Sequence, residues 1–261
     1  MSKLICQMYS FRKELQEDPY KCFKKIKDIG FDYIQLDGLR GNSIEVIKDA
    51  IEKAGLKVCS MHIKHDRFIN DVNGIIKEAK YFNCDEVYLK YIEDEYQVEY
   101  GYKFTKYILC KAAKILNEAG LRVGLHSPEY DFNTLVDNEK VMDYICNNDE
   151  IEILPEPDTY WLSVAKENPL EYCKKYRGKI STIHFKDIDT SLNLLDMEEN
   201  IRECGKGVVD FESLMEWGYL SGVKYFAIEQ DYSKGNMYDS MKASLVYLKD
   251  IEFKILNHNN I

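Results

Sequence analysis

Glu118-Ala119-Gly120-Leu121-Arg122-Val123-Gly124-Leu125-His126 holds the pattern from which the fold is read. An amphipathic run from Tyr107 ends at Ala119, Gly120 stands where helices commonly stop, and a β-rich run carries the chain away. Lys53-Ala54-Gly55-Leu56-Lys57-Val58 follows the same recipe, with Ser43 as the candidate N-cap of its helix and His62 at the end of its strand. Cys22 to Ile29, apolar at 22, 23, 26 and 29, likewise yields at Gly30 to Phe31–Leu36. Helix, glycine and strand in repeated order are the punctuation of a parallel α/β architecture.

Working outward from these junctions, eight strand candidates emerge at 3–8, 31–36, 57–63, 86–91, 121–127, 151–157, 180–186 and 224–230. Helical segments separate all of them, and the last, roughly 238–253, places Met241, Leu245, Leu248 and Ile251 on one face. Eight alternating units favour closure into a (β/α)8 TIM barrel over an open sheet. The 261 residues suit one such barrel, which typically takes about 250. No linker or charge block divides the chain, so 1–261 reads as one domain. Two connections, 91–102 and 187–209, are longer than a compact barrel needs and fall on the side where barrels place their sites. The second contains Gly205-Lys206-Gly207 and reads equally as a lid or a surface insertion.

With 45% apolar and 31% charged residues, the composition is that of a soluble globular protein. A net charge of −10 opposes a polyanionic partner and weighs against nucleic acid as substrate. Eight cysteines without a CxxC pair read as reduced, mostly buried thiols in a cytoplasmic protein. The segment Met1–Ser10 has too short an apolar run for a signal peptide. No window approaches the roughly 18 apolar residues of a membrane span, so no membrane partner is expected. Twenty tyrosines leave material for an interface, and a homo-oligomer stays open.

The chemistry gathers at strand ends. Asp158 follows Ile153-Leu154-Pro155-Glu156-Pro157, His184 follows Ile180-Ser181-Thr182-Ile183, and Glu229 follows Tyr225-Phe226-Ala227-Ile228. In a barrel these ends converge on one mouth, where carboxylate, imidazole and carboxylate suit a divalent cation. Singly, each has a plainer reading: a helix cap, a hydrogen-bonded histidine, an ion-paired glutamate. Their recurrence at three successive strand ends carries the metal reading. A fourth ligand would come from the fifth strand, where His126, Glu129 and water are the alternatives. His62 and Gln35 end the third and second strands and would face a polar substrate or simply line the mouth. Glu156, Lys186 and Asp231 each lie two residues from a ligand candidate, on the same strand face, although Pro157 interrupts one alternation.

Glu156-Pro157-Asp158-Thr159-Tyr160-Trp161, His184-Phe185-Lys186-Asp187, Gly205-Lys206-Gly207-Val208-Val209-Asp210 and Ile228-Glu229-Gln230-Asp231 together resemble the motifs of the xylose isomerase-like sugar phosphate isomerase/epimerase family. The resemblance implies a barrel that binds Mn, Mg, Co or Zn through one ligand on each of strands five to eight. Asp158, His184 and Glu229 match three of these; the first is usually Glu in the ketose epimerases, where this chain has His126. A related His-Asn-His-Asp pattern is met only in part by His126-Ser127-Pro128-Glu129. The implied activity is isomerisation or epimerisation of a sugar or sugar phosphate by proton transfer next to a carbonyl. Glu229 would be ligand and base, Glu156 an acid or base, and Lys186 a partner of the oxyanion. His62 and Gln35 would contact substrate, and Trp161 would wall a sugar face. Lys206 and Arg202 are candidate phosphate contacts. A keto-inositol-type dehydratase and a catalytically degenerate sugar-binding barrel are the alternatives. The family's three-zinc apurinic endonucleases need more ligands than the five histidines here readily supply.

Overall fold

The computed structural model describes residues 2–258. Eight parallel strands form one sheet: β1 Leu4–Gln7, β2 Tyr33–Leu36, β3 Lys57–Ile63, β4 Glu86–Leu89, β5 Arg122–His126, β6 Leu154–Glu156, β7 Thr182–Phe185 and β8 Tyr225–Ile228. They run in the order β6-β5-β4-β3-β2-β1-β8-β7, with helices between them, as a single-domain TIM barrel. The sequence-expected strands all lie on these eight.

Closure between β6 and β7 rests on a single bridge between Asp158 and His184, in which His184 N–H donates to the Pro157 carbonyl at 2.9 Å. Pro157 turns its carbonyl toward β7, and Pro155 lies two residues earlier on the same edge. Neither proline has an N–H to extend a ladder there. The seam of the barrel therefore coincides with two of the candidate ligands.

Alternation divides each strand between two environments. Leu4, Cys6, Ile34, Leu36, Val87, Leu89, Val123, Leu125, Ile183, Phe185, Phe226 and Ile228 join the main core beneath the helices. Ile5, Cys59 and Ala227 form a separate small apolar cluster with Tyr33 and Tyr225 inside the barrel. Above it the interior turns polar, with Gln7, Gln35, His62, His126, Glu156 and His184 all buried. Gly124 makes room for the Tyr88 ring in this interior, since a Cβ there would stand 2.3 Å from the ring.

One irregularity re-aims a site residue. The β2–β3 register runs Ile34 to Val58 and then Gln35 to Ser60, leaving Cys59 as an extra residue in β3. After this bulge the inward face is carried by Ser60 and His62, while Met61 and Ile63 join the outer core.

Gly120 adopts φ +82° and lets the long helix Glu99–Glu118 turn into β5. That helix begins well before Tyr107, because Tyr96, Tyr100 and Phe104 stack along its first turns and Tyr96 meets His65 edge-on. The expected long connection at 91–102 is correspondingly shorter. The 187–209 connection is real and ordered: Asp187–Ile188 pairs antiparallel with Ile201–Arg202. Among the described residues, no helix is long and apolar enough to cross a membrane.

Candidate metal centre

Four ligand atoms from His126, Asp158, His184 and Glu229 lie within 4.8 Å of one another, and all four residues are buried. They come from the ends of β5, β6, β7 and β8, so the convergence follows from barrel geometry. Glu129 lies on the short helix Glu129–Asn133 and stands outside this group.

Hydrogen bonds orient the two imidazoles. His126 Nδ1 lies 2.7 Å from the Lys90 carbonyl, which only accepts, so Nδ1 donates there and Nε2 is the nitrogen turned toward Asp158, 3.4 Å away. Gln35 Nε2 donates to Ser60 at 2.9 Å and to the Glu156 carboxylate at 2.6 Å, which leaves Gln35 Oε1 to accept from His184 Nε2 at 2.7 Å. His184 Nδ1 then faces Glu229 Oε2 at 2.8 Å. Outer partners that fix the ring and tautomer in this way are what a metal-ligating histidine requires. Asp158 is divided: Oδ1 accepts from the Tyr160 and Trp161 N–H groups as a helix cap, and Oδ2 faces the centre. The cap and ligand readings of Asp158 thus coexist. A mixed imidazole and carboxylate set of this kind fits a divalent ion such as zinc or manganese.

Lys186, fully buried, reaches Asp158 at 3.1 Å, Glu229 at 3.2 Å and Asp231 at 3.1 Å. Burial opposes its charge, but these carboxylates hold its pKa well above the ordinary lysine value. Burial likewise opposes ionisation of Asp158 and Glu229, and the Lys186 charge outweighs it and holds both low. Asp231 is pushed up to about 7 by burial, relieved in part by Lys186. Burial would depress His184, yet Glu156 and Glu229 push it up to about 10.

Below this centre, Glu156 accepts from Gln35 and, at 2.6 Å, from His62 Nε2. His62 Nδ1 accepts from Gln7 Nε2 at 3.2 Å, and burial, only partly offset by Glu156, pushes His62 down to about 4. His62 is therefore a neutral donor stacked 5.2 Å from the His184 ring. His184 and His62 together keep Glu156 ionised despite its burial. Trp161 is partly buried, packed against the core with Lys186 5.6 Å from its ring centre. Lys206 is exposed on the 187–209 loop, and Arg202 pairs with Asp189, so neither joins the centre.

Sequence reasoning passed over Gln7 and Lys90, although both stand at the ends of strand candidates and the strand-end rule would have found them. It also passed over Tyr9 and Arg12, in the short helical turns Met8–Phe11 and Arg12–Glu17 that follow β1, and Asp37 and Arg40 in the loop after β2, none of which carries a periodic signal.

No curated protein matches the sequence. Solved structures do match the fold. A sugar phosphate isomerase/epimerase from Parabacteroides distasonis is 19% identical with a TM-score of 0.78, covering 94% of this chain and 97% of that one. A 3-keto-D-glucoside 4-epimerase from E. coli is 20% identical with a TM-score of 0.72, over 96% and 100% of the two chains. The IolI protein with a bound zinc atom is 16% identical with a TM-score of 0.70, over 97% and 99%. At such identities these likenesses speak to fold alone. Residues 23–223 match the family described as the xylose isomerase-like TIM barrel. With that match spanning most of the sequence, and the barrel and its strand-end cluster in agreement, the chain belongs to the xylose isomerase-like TIM barrel family.

Proposed function

We propose that this protein is a metal-dependent isomerase or epimerase that moves a proton next to the carbonyl of a sugar or sugar derivative. The observation that carries the reading is the buried His126–Asp158–His184–Glu229 group with Lys186 at its edge. Bound there, a divalent cation would supply Lewis acidity toward a substrate carbonyl.

The chain's own residues divide the remaining work. Glu229, ionised and at the mouth, takes the proton from the carbon beside the carbonyl, and the freed electron pair moves onto the carbonyl oxygen. Lys186 donates a hydrogen bond to the oxygen as its charge grows. Delivery of a proton to the opposite face by a donor other than Glu229 gives an epimer; return by Glu229 to the neighbouring carbon, with the hydroxyl proton passing to the former carbonyl oxygen, gives an isomer. Glu156 is fully engaged by Gln35 and His62 and held ionised, which suits a counter-charge that orients His62 and His184 better than a proton donor. Neighbours named as an isomerase/epimerase and a keto-glucoside epimerase support this class.

Incubation of the cation-loaded protein with a panel of keto-sugars in deuterated water, followed by NMR, tests the reading. Deuterium should enter the carbon next to the carbonyl without loss of water, and Glu229→Gln should slow exchange by a factor on the order of 100 or more. Release of water with exchange would assign a dehydratase instead. Absence of exchange across the panel, or a chain that takes up no cation, would reject the enzyme reading in favour of a binding-only barrel.

A further inference from the structure

The half of the mouth opposite the ligands carries an unbalanced positive charge. Arg12, Arg40 and Lys90 lie after β1, after β2 and at the end of β4, whereas the candidate ligands end β5 to β8. All three cations gather on the Tyr9 ring, with Lys90 at 4.1 Å, Arg12 at 4.4 Å and Arg40 at 5.4 Å from its centre. Among the described residues, Asp37 is their only carboxylate ion-pair partner: it pairs with Lys90 at 2.9 Å and with Arg40. Arg12 spends its donors on the backbone carbonyls of Tyr9 and Asp231. The Nε of Arg40 is buried without a hydrogen-bond partner.

The carboxylates of the centre have nearer partners than these groups, although Lys90 also feels Glu229 and Asp231. Asp158, Glu229 and Asp231 are met by Lys186, and Glu156 by the His184 ring, with a hydrogen bond from neutral His62. The cluster nevertheless adjoins the centre, since the Lys90 carbonyl holds His126 and Arg12 holds the Asp231 backbone. Three basic side chains share one ring with one carboxylate between them, and burial together with Arg40 pushes Lys90 down to about 7, so an anion placed among them would favour its charged form and offset the crowding.

We propose that Arg12, Arg40 and Lys90 form an anion subsite that selects substrates bearing a phosphate or carboxylate group remote from the reacting carbonyl. The proposal rests on the functional reading above and names its substrate class. The carbonyl end would lie over the ligand half of the mouth and the anionic end over the β1, β2 and β4 half. Planar Arg forks recognise both oxyanions, and the shared requirement is a charged group with several acceptor oxygens.

Calorimetric titration of the cation-loaded full chain with inorganic phosphate and, separately, with acetate tests the subsite. At least one ion should saturate, the tighter of the two assigning phosphate or carboxylate, and the binding should weaken with added salt. Arg40→Gln and Arg12→Gln should each weaken it about tenfold or more, whereas Arg40→Lys retains most of it. Bound cation content should stay at the wild-type level in all three. The substrate arm compares keto-sugars with and without a terminal phosphate or carboxylate: the anionic partner should show the lower KM, and Arg40→Gln should raise that KM more than it lowers kcat.

Saturation by neither ion overturns the proposal. So does phosphate that binds Arg40→Gln and Arg12→Gln as it binds wild type but is lost in Asp158→Asn, because the anion then sits on the cation alone. Arg12 opens the short helix Arg12–Glu17 after β1 and Arg40 lies in the loop after β2, so misfolding of one variant leaves the other decisive. Failure of proton exchange on every sugar, with phosphate binding intact and Arg40-dependent, would instead reject the isomerase reading while leaving the subsite standing.

Discussion

At the scale of single residues, Gln35 has a larger part than its place outside the ligand group suggests. Its amide is oriented by Ser60 and Glu156, and its oxygen fixes which nitrogen of His184 faces the centre. Gln35→Leu should lower cation affinity by about 10- to 100-fold, read by competition with a metal indicator, while the barrel remains folded by circular dichroism. Asp131 poses a separate electrostatic case. Its carboxyl is fully buried, and burial, opposed only in part by the neighbouring Ser127 hydroxyl, pushes its pKa up to about 8. The folded state therefore keeps a proton that the unfolded chain releases near 4, so stability falls as pH rises from about 4 through about 8. Asp131→Asn should abolish this slope, worth up to about 1.4 kcal/mol per pH unit. Urea unfolding at pH 5 and pH 8 should show the variant gaining on wild type at the higher pH, and equal differences at both would refute the assignment.

At the scale of elements, the 187–209 connection is pinned by one side chain. Asp187 accepts the N–H groups of Gly205 at 2.9 Å, Gly207 at 2.8 Å, Val209 at 3.1 Å and Ile188 at 2.9 Å. This carboxylate replaces the strand partners that a loop lacks, so the segment behaves as a built wall beside the mouth. Asp187→Ala should cost about 2 kcal/mol of local stability and raise the rate of native-state proteolysis within 190–207 roughly thirtyfold. Cleavage unchanged in rate or position would mean that the antiparallel pairing of 187–188 with 201–202 suffices to hold the loop. The β3 bulge acts at the same scale, since one added residue turns His62 rather than Met61 into the interior.

For the whole molecule, the far end of the barrel is tied by Glu86. Buried inside, it accepts from Arg122 at 3.0 Å, Lys224 at 2.7 Å, Ser181 at 2.7 Å and Tyr88 at 2.9 Å, joining β4, β5, β7 and β8. Glu86→Ala leaves these donors without their shared acceptor and should destabilise the fold by about 3–5 kcal/mol. Thermal unfolding should drop accordingly, while cation content in the folded fraction is retained because the ligands lie at the opposite end. Loss of cation from a folded Glu86→Ala protein would contradict this separation of stability from function.

How much was legible in advance follows from the range of the forces involved. Strand and helix alternation, the glycine stops at 55 and 120, and Asp158, His184 and Glu229 at strand ends are local signals, repeated eight times, and parallel-barrel topology turns each strand end toward one mouth. The chain alone therefore determined the architecture and most of the candidate centre. Only the tertiary structure decided that Glu156 is locked between Gln35 and His62, that the seam closes on Asp158 and His184, and that Arg12, Arg40 and Lys90 meet on Tyr9. Those contacts join loops and strands far apart in sequence, and their geometry depends on a bulge, two prolines and loop packing that no periodicity encodes.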